Sequence, residues 1–440
     1  MSIGDIIHFL KEDVWRIRLK ELPSRKSALI KNLRIVLLAF KGFNEDKCAL
    51  RAKALTFYFL MSVVPLAAFA FGIAKGFGMQ KVLKEELVKS LQGQEAVVNY
   101  IIGFADKMLE QAKGGLIAGV GIVLLIYTVF NLLQNIETSF NDIWGTPHSR
   151  TFSRKLSDYL SVLFIAPILF VLSSGITVFI KTQITLIIAK ITLLGQISSL
   201  IFFSLKLLPF FVTWLLGTFV YIFMPNTRVR FWSGFLGGVV AGTMYVIWQD
   251  IYIATQIGAS RYGAIYGSFA VIPLFMIWLQ VSWLIVLFGA EIAFAHQNVD
   301  TYEMEPLSET VSISLKKILA LRIANICVKN FVKGEDPWSA ERIAEVLELP
   351  VRLTNKLLSD LVKCHVLSET EGEDERISYY QPARDVGTLT IHHVVSALEK
   401  LGNDDITYAE SEELGKIKEY YEKFDAINNE SDANILIKDI

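Results

Sequence analysis

Six long apolar runs constrain this sequence more than any other feature. A helix of about 20 apolar residues crosses about 30 Å of hydrocarbon. These runs lack the alternation of a barrel strand, so each is predicted to be a membrane-spanning helix. The predicted spans are residues 54–74, 116–133, 159–180, 207–224, 231–249 and 268–290. The apolar segment 182–205 is interrupted by Lys190, and we interpret it as an interfacial or loop helix instead of a seventh crossing.

Charge divides the chain into two parts. Residues 1–299 carry a formal charge of +11 and residues 300–440 carry −12. Basic residues of short loops mark the cytoplasmic side of a membrane protein. They are concentrated before the first span and in the loops 134–158 and 225–230, which all fall on one side when there are six spans. Both termini are therefore predicted to be cytoplasmic, although the six lysines of loop 75–115 argue weakly against this orientation.

The predicted fold is an all-α polytopic membrane protein with six transmembrane helices and a cytoplasmic winged-helix (α+β) domain. An N-terminal segment precedes the membrane domain, and its apolar face and basic flanks suit a helix in the headgroup region. The alternative is a soluble helix packed on the cytoplasmic domain. The predicted boundaries are residues 1–48 for this segment, 49–297 for the membrane domain, 305–402 for the winged helix and 403–440 for an acidic, loosely ordered tail.

The winged-helix interpretation rests on the order of elements after residue 310. Helical patterns over 311–331, 339–349 and 350–367 precede a two-stranded wing, and a further helix is predicted over 388–400. Nucleic-acid binding depends on clustered positive charge. The domain is acidic and its wing tip reads ETEGEDE, so DNA binding is disfavoured and a cytoplasmic protein partner is favoured.

The second span has a polar end. Asn131, Asn135 and Asp142 recur on one helical face, with Glu137 beside it. Polar groups at membrane depth usually face a bundle interior or a water-filled cavity and are functional candidates. The alternative is a helix that emerges into water after Leu133.

A paired Tyr-Gly sequence stands before the sixth span. Glycine permits tight or left-handed turns, and tyrosine suits a membrane interface. The segment is interpreted as a re-entrant turn that caps a cavity mouth and contacts an anionic headgroup, or as a plain aromatic anchor. Its candidate residues are Arg261, Tyr262, Gly263, Tyr266 and Gly267, with Asp250 as the expected partner of the arginine.

Three further features of the spans are candidates. Gly234, Gly238 and Gly242 form a small-residue pattern that predicts close helix packing. Pro65, which follows Ser62, interrupts the first span and predicts a kink. Glu291 closes the sixth span, where it is either hydrated or functional.

Enzyme chemistry has little support in the sequence. The motifs HExxH, GxSxG, GxxxxGK[ST] and GxGxxG do not occur, and the six histidines show no ligand spacing. Three scattered cysteines favour neither a disulfide framework nor a zinc cluster. We therefore expect no enzyme activity, no metal and no cofactor.

Four stretches resemble the YihY/virulence factor BrkB family of bacterial inner-membrane proteins. They are KALTFYFLMSVVPLAAF (53–69), NDIWG (141–145), FMPNTRVRFWSGFLGGVVAGTMYVIWQDIY (223–252) and YGAIYGSFAVIPLFMIWLQVSWLIVLFGAEIAFA (262–295). The resemblance covers roughly residues 30–297 and implies six helices with both termini inside. An older ribonuclease label of the family finds no support, because this chain lacks a HxHxDH string.

The expected function is movement or accommodation of an amphipathic, lipid-like envelope substrate at the inner membrane. The alternatives are a non-transporting scaffold whose winged helix recruits a protein, and, with less support, a membrane-tethered DNA-binding regulator. The expected partners are membrane lipids, a cytoplasmic protein and a second copy of the chain.

Overall fold

The architecture comes from a computed structural model of all 440 residues. It describes residues 3–9, 14, 23–90, 95–111, 115–146, 150–164, 207–259, 271–299, 311–371, 377–402 and 409–440. The predicted third span is described only as far as residue 164, and segment 182–205 lies outside the described residues.

Ten helices precede residue 300 in the described part of the chain. They are α1 (Ile3–His8), α2 (Ser24–Glu45), α3 (Cys48–Gly76), α4 (Gln80–Ser90), α5 (Glu95–Gln111), α6 (Gly115–Trp144), α7 (152–164), α8 (Leu208–Phe223), α9 (Phe231–Ala259) and α10 (Val271–Asn298).

Five helices, three short strands and a 3-10 turn follow. They are α11 (Ile313–Lys333), β1 (Trp338–Ser339), α12 (Ala340–Leu347), α13 (Val351–Lys363), β2 (Leu367–Glu371), β3 (Ser378–Pro382), α14 (Ile391–Glu399), α15 (Glu412–Glu430) and the turn Ile437–Asp439.

The chain forms two compact units. The membrane unit comprises residues 35–143 and 148–297, and the C-terminal unit comprises residues 1–34, 144–147 and 298–440. By length and composition, Cys48–Gly76, Phe231–Thr255 and Ile272–Asn298 are candidate membrane spans among the described residues, and Pro209–Phe223 is a shorter apolar helix. The prediction of a helical membrane protein is therefore confirmed.

Helices α8, α9 and α10 pack through glycines. A Cβ atom at Gly238 would lie 2.5 Å from Thr218 Oγ1 and 2.6 Å from the Trp214 carbonyl oxygen on α8. Gly234 and Gly242 also face α8. On the other face of α9, a Cβ at Gly237 would lie 2.5 Å from the Gly289 carbonyl oxygen on α10, a contact that the sequence pattern did not single out.

The C-terminal unit has a core of aliphatic side chains. Its sheet has the order β1-β3-β2 with antiparallel pairing, and Trp338 and Glu369 each lie opposite Tyr380. Leu358 and Leu361 of α13 are fully buried against Ile323 of α11 and the sheet. The Ser339 side chain accepts a hydrogen bond from the Arg342 backbone N–H and thereby caps the N-terminus of α12.

The end of the chain differs from the expected loose tail. Residues Glu412–Glu430 form α15, and Ile437 is fully buried in the aliphatic core. The Asn325 amide donates to the Ile437 carbonyl oxygen at 2.8 Å, and Leu436 forms a β-bridge with Thr390. One buried isoleucine and a few hydrogen bonds attach the end of the acidic segment to the core. The average composition of residues 403–440 is polar and acidic, so it does not reveal this single apolar anchor.

Candidate functional site

Helix α6 ends in a polar segment that joins three other parts of the membrane unit. The helix continues to Trp144, well beyond the predicted end of the span at residue 133. Glu137, Asn141 and Asp142 each contact a different segment, as described below. The extension therefore holds neighbouring segments together instead of ending in water.

Glu137 lies at the centre of a buried charged cluster. Its side chain is 1% exposed. The Tyr159 hydroxyl donates to Glu137 Oε2 at 2.6 Å, and Lys155 Nζ lies 3.9 Å from Oε1. Lys155 and Tyr159 are one turn apart on α7, so a single face of that helix presents both groups to the carboxylate.

Arg150 connects this cluster to the end of α8. Its Nη2 donates to the carbonyl oxygens of Phe223 at 2.6 Å, Met224 at 3.3 Å and Pro225 at 3.3 Å. The last carbonyls of a helix carry partial negative charge and lack partners within the helix. The guanidinium therefore caps α8 while its Nη1 approaches Glu137 at 3.8 Å and Asp158 at 3.3 Å.

The Arg150 guanidinium keeps an unused donor. The side chain is 1% exposed, its Nε has no hydrogen-bond partner within the described part of the chain, and its Nη1 makes the two ion pairs but no hydrogen bond there. A buried donor without a partner carries a desolvation penalty of about 1–3 kcal/mol, more for a charged group. Such a group suits a ligand that brings acceptors.

The cluster has a formal excess of one positive charge when all groups are ionised. Arg150, Lys155 and Arg154 supply the cations, and Glu137 and Asp158 supply the carboxylates. Arg154 lies at the edge, with its Nε 3.9 Å from Asp158. Electrostatically, the site can therefore accept one monovalent anionic group.

Two further contacts complete the polar end of α6. Asp142 Oδ2 lies 2.5 Å from Arg51 Nη1, whose Nε donates to the Asp46 carbonyl oxygen on the connection before α3. The Asn141 side chain accepts the backbone N–H of Asn226 at 2.7 Å. These bonds connect α6 to the start of α3 and to the segment that follows α8.

The two asparagines of the predicted polar face bond locally. The Asn135 amide donates to the Asn131 carbonyl oxygen at 2.8 Å, and both residues are partly buried. Asn131 and Asn135 precede Glu137 along the helix by six and two residues. Whether they line a substrate path stays a prediction.

Glu291 forms a second buried polar contact in the membrane unit. Its side chain accepts a hydrogen bond from Cys48 Sγ at 3.4 Å and packs against the backbone at Gly42, where a Cβ would lie 2.3 Å from Oε2. The carboxylate is 1% exposed, so the hydrated alternative does not describe it.

The remaining predicted residues lie elsewhere. Ser62 is fully buried and donates to the Tyr58 carbonyl oxygen at 2.7 Å, and the buried Pro65 lies inside α3 without ending it. Asp250 is exposed on α9. The Tyr-Gly segment with Arg261, Tyr262, Gly263, Tyr266 and Gly267 lies outside the described residues.

Sequence reasoning missed the partners of these carboxylates. The sequence marks Arg150 only as one of the basic residues of loop 134–158 and assigns no partner to Cys48, whereas they contact Glu137 and Glu291. Arg51 and Tyr159 were not singled out. The one sequence feature that could have indicated the contact with Glu137 is the position of Arg150, a basic residue close to the membrane boundary. The tendency of cytoplasmic loops to be basic is sufficient to explain such a residue.

Apolar helices of membrane-spanning length, packed through glycines around buried charges, define a polytopic helical membrane protein. The chain belongs to the virulence factor BrkB family, whose model matches residues 39–313. The predicted family is thus confirmed.

Relatives in several bacteria carry the name UPF0761 membrane protein. The one from Haemophilus influenzae (strain 86-028NP) is 29% identical over 266 residues, which is 58% of this chain and 93% of the relative. The one from Halorhodospira halophila (strain DSM 244 / SL1) is 30% identical over 353 residues, or 79% of this chain and 74% of the relative. No solved structure matches the chain.

Proposed function

We propose that this protein moves or accommodates an anionic, amphipathic, lipid-like substrate across the bacterial inner membrane. The observation that carries the proposal is Arg150, a buried guanidinium whose Nε has no hydrogen-bond partner in the described part of the chain and which lies in a cluster of formal net charge +1. An acidic headgroup would supply the hydrogen-bond acceptors, and the apolar surfaces of the helices would contact the acyl chains of the lipid. Ionisable groups inside membrane domains are costly and usually mark substrate or ion pathways.

The proposed topology has six spans with both termini cytoplasmic. Helices α3, α6, α8, α9 and α10 cover five of the predicted spans, and α7 begins near the start of the other. In this topology the charged cluster lies near the cytoplasmic membrane boundary. The headgroup would bind there after the Glu137–Arg150 contact opens, since both groups are buried.

The C-terminal unit is proposed to contain a winged helix. Its element order α11-β1-α12-α13-β2-β3, with a β1-β3-β2 sheet, supports this assignment. Two of the side chains that could read DNA are engaged within the unit: the Asn355 amide donates to the Gly145 carbonyl oxygen at 3.2 Å, and Arg352 packs against the same glycine. With its negative charge, this favours protein contact over a DNA-binding regulator.

Lipid translocation in reconstituted vesicles tests the proposal. Purified protein is placed in vesicles that contain a fluorescent phosphatidylglycerol or phosphatidylcholine, and dithionite bleaching reports the label that reaches the outer leaflet. We expect faster bleaching of the anionic label than in protein-free vesicles. Arg150→Gln should slow it about tenfold, the rate equivalent of about 1.4 kcal/mol.

Arg228→Gln is the control, because Arg228 carries the same charge on an exposed side chain outside the cluster. It should stay within about twofold of the wild type, and gel filtration should give the same elution volume for both variants. Bleaching no faster than in empty vesicles, for either label, would refute transport and leave the scaffold as the remaining candidate. Equal loss in both variants would refute the role of Arg150.

A further inference from the structure

Helix α15 carries an apolar face that no described residue covers. The helix has 19 residues, and none of them is buried. Its large apolar side chains are 62–68% exposed, and they are Ile417, Tyr420, Tyr421, Phe424 and Ile427. At 3.6 residues per turn these positions fall on one face. Five large apolar side chains in line are more than the scattered exposure usual for a soluble surface.

The rest of the helix is polar and attached to the C-terminal unit. Ion pairs Glu412–Lys416 and Glu419–Lys423, both at 2.6 Å, flank the apolar face, and Lys423 Nζ lies 5.2 Å from the centroid of the Tyr420 ring. Along one edge, His392 Nε2 lies 2.8 Å from Asp425, and the Asn434 amide donates to the Asn429 carbonyl oxygen. The unit therefore holds the helix with its apolar face outward.

The spacing of the apolar face is symmetric about Glu422. Ile417 and Ile427 lie five residues on either side of it, and Tyr420 and Phe424 lie two residues on either side. An antiparallel copy of the helix therefore presents Ile427 to Ile417 and Phe424 to Tyr420, twice. A two-fold interface requires this reciprocity, since residue i contacts j and j contacts i.

The charges beside the face are compatible with the same register. Lys423 of one copy lies level with Tyr421 of the second copy, and Lys416 lies level with Asn428. The lysines beside the face therefore meet no lysine of the second copy. The helix itself carries six carboxylates and three lysines, and that excess disfavours docking on an anionic lipid surface.

The exposed area is sufficient for a specific contact. An aromatic side chain offers about 150–250 Å², and about two thirds of each aromatic side chain here is exposed. Two copies of the face together can bury about 1,000 Å², the lower limit for a specific interface.

We propose that α15 is a homodimer contact, in which the helices of two chains pack antiparallel about Glu422. This inference goes beyond the proposed transport and does not depend on it. A second copy covers the apolar face in this register, whereas the excess of carboxylates on the helix disfavours an anionic membrane surface.

Cysteine cross-linking in the full-length protein tests the register. In the antiparallel pair, the double variant Ile417→Cys/Ile427→Cys places the cysteine at position 417 of one chain beside the cysteine at position 427 of the other. In the single variant Ile417→Cys, the two copies of position 417 are ten residues apart along the helix axis, which is about 15 Å at 1.5 Å per residue. Oxidation should convert most of the double variant to a disulfide-linked dimer and leave the single variant monomeric on gels. All cross-linking variants also carry Cys364→Ser, because Cys364 is partly exposed. The other native thiols give a low background: burial raises the pKa of Cys327 to about 12, and Cys48 is also buried.

Phe424→Asp in the double variant should abolish the cross-link, and its circular dichroism spectrum should match that of the wild type. Cross-linking of Ile417→Cys alone would indicate parallel pairing and overturn the proposal. Absence of a cross-link in both variants would overturn it as well. In that case, an environment-sensitive dye on Phe424→Cys, with and without phosphatidylglycerol vesicles, would identify a membrane as the occupant.

Discussion

Helices in the two units of this protein associate by different means. In the membrane unit, α8 and α9 approach through Gly238, whose missing side chain lets the Thr218 and Trp214 backbones come close. In the C-terminal unit, α11 and α13 meet through Ile323, Leu358 and other large aliphatic side chains.

The difference follows from the solvent. Water drives apolar side chains together, whereas lipid tails are as apolar as leucine and give helices no such incentive. Membrane helices therefore associate through close van der Waals contact, polar bonds and paired charges. The same reasoning explains why the membrane unit, the more apolar one, contains the buried Glu137–Arg150 cluster.

The largest expected effect is loss of an aliphatic core contact. Leu358→Ala should lower the free energy of unfolding of the C-terminal unit by about 2–5 kcal/mol, because it leaves a cavity at a fully buried site. Urea titration of the full chain, monitored by proteolysis within residues 311–440, measures this change. Leu401→Ala, at an exposed leucine, is the control. Equal effects of the two variants would contradict the core assignment.

Gly238→Ala should have the next largest effect, in the membrane unit. The added methyl group would overlap α8 and should cost about 1–3 kcal/mol through overpacking. Thermal unfolding in detergent provides the measurement. Gly103→Ala is the matched control, since a Cβ there meets nothing within 4 Å. A stabilised Gly238→Ala protein would argue against backbone-to-backbone packing of α8 and α9.

A cap in the C-terminal unit should contribute less. Ser339→Ala removes the acceptor for the Arg342 N–H and should cost about 1 kcal/mol. Ser339→Asp keeps an acceptor and should restore most of the loss. Hydrogen exchange of α12 amides in the full chain distinguishes the two variants, and similar protection in both would show that the cap is dispensable.

The smallest effect should be a pH dependence of the C-terminal unit. Burial, Arg384 and His392 lower the pKa of His393 from its ordinary value of 6.5. The unfolded chain therefore binds a proton at a higher pH than the folded chain, and stability should fall as the pH drops through 6.5 towards the lowered value. His393→Gln should flatten this decline between pH 8 and pH 5 in urea titrations. An unchanged slope would exclude His393 as its source.

The charged cluster shows where sequence reasoning stops. A polar segment at the end of span two was evident from Glu137 and Asp142, because the spacing of side chains on a helix is fixed. Their partners come from residues 150–159 and from α3, and single-sequence patterns carry no information on which loop returns to which carboxylate. Glu291 is the same case, since Cys48 lies 243 positions away.

Sequence alone determined the helical membrane class, the family, the acidic C-terminal part and the approximate bounds of the helices between residues 311 and 400. These properties depend on apolar run length, charge and capping residues, which act locally. Tertiary structure decided that Gly237 contacts α10, that Ile437 returns to the core and that Arg150 joins Glu137 to the end of α8. These contacts depend on how segments distant in sequence pack together. The free-energy cost of burying a charge, and the benefit of a glycine at a helix contact, are both set by the neighbouring group, which the local sequence does not specify.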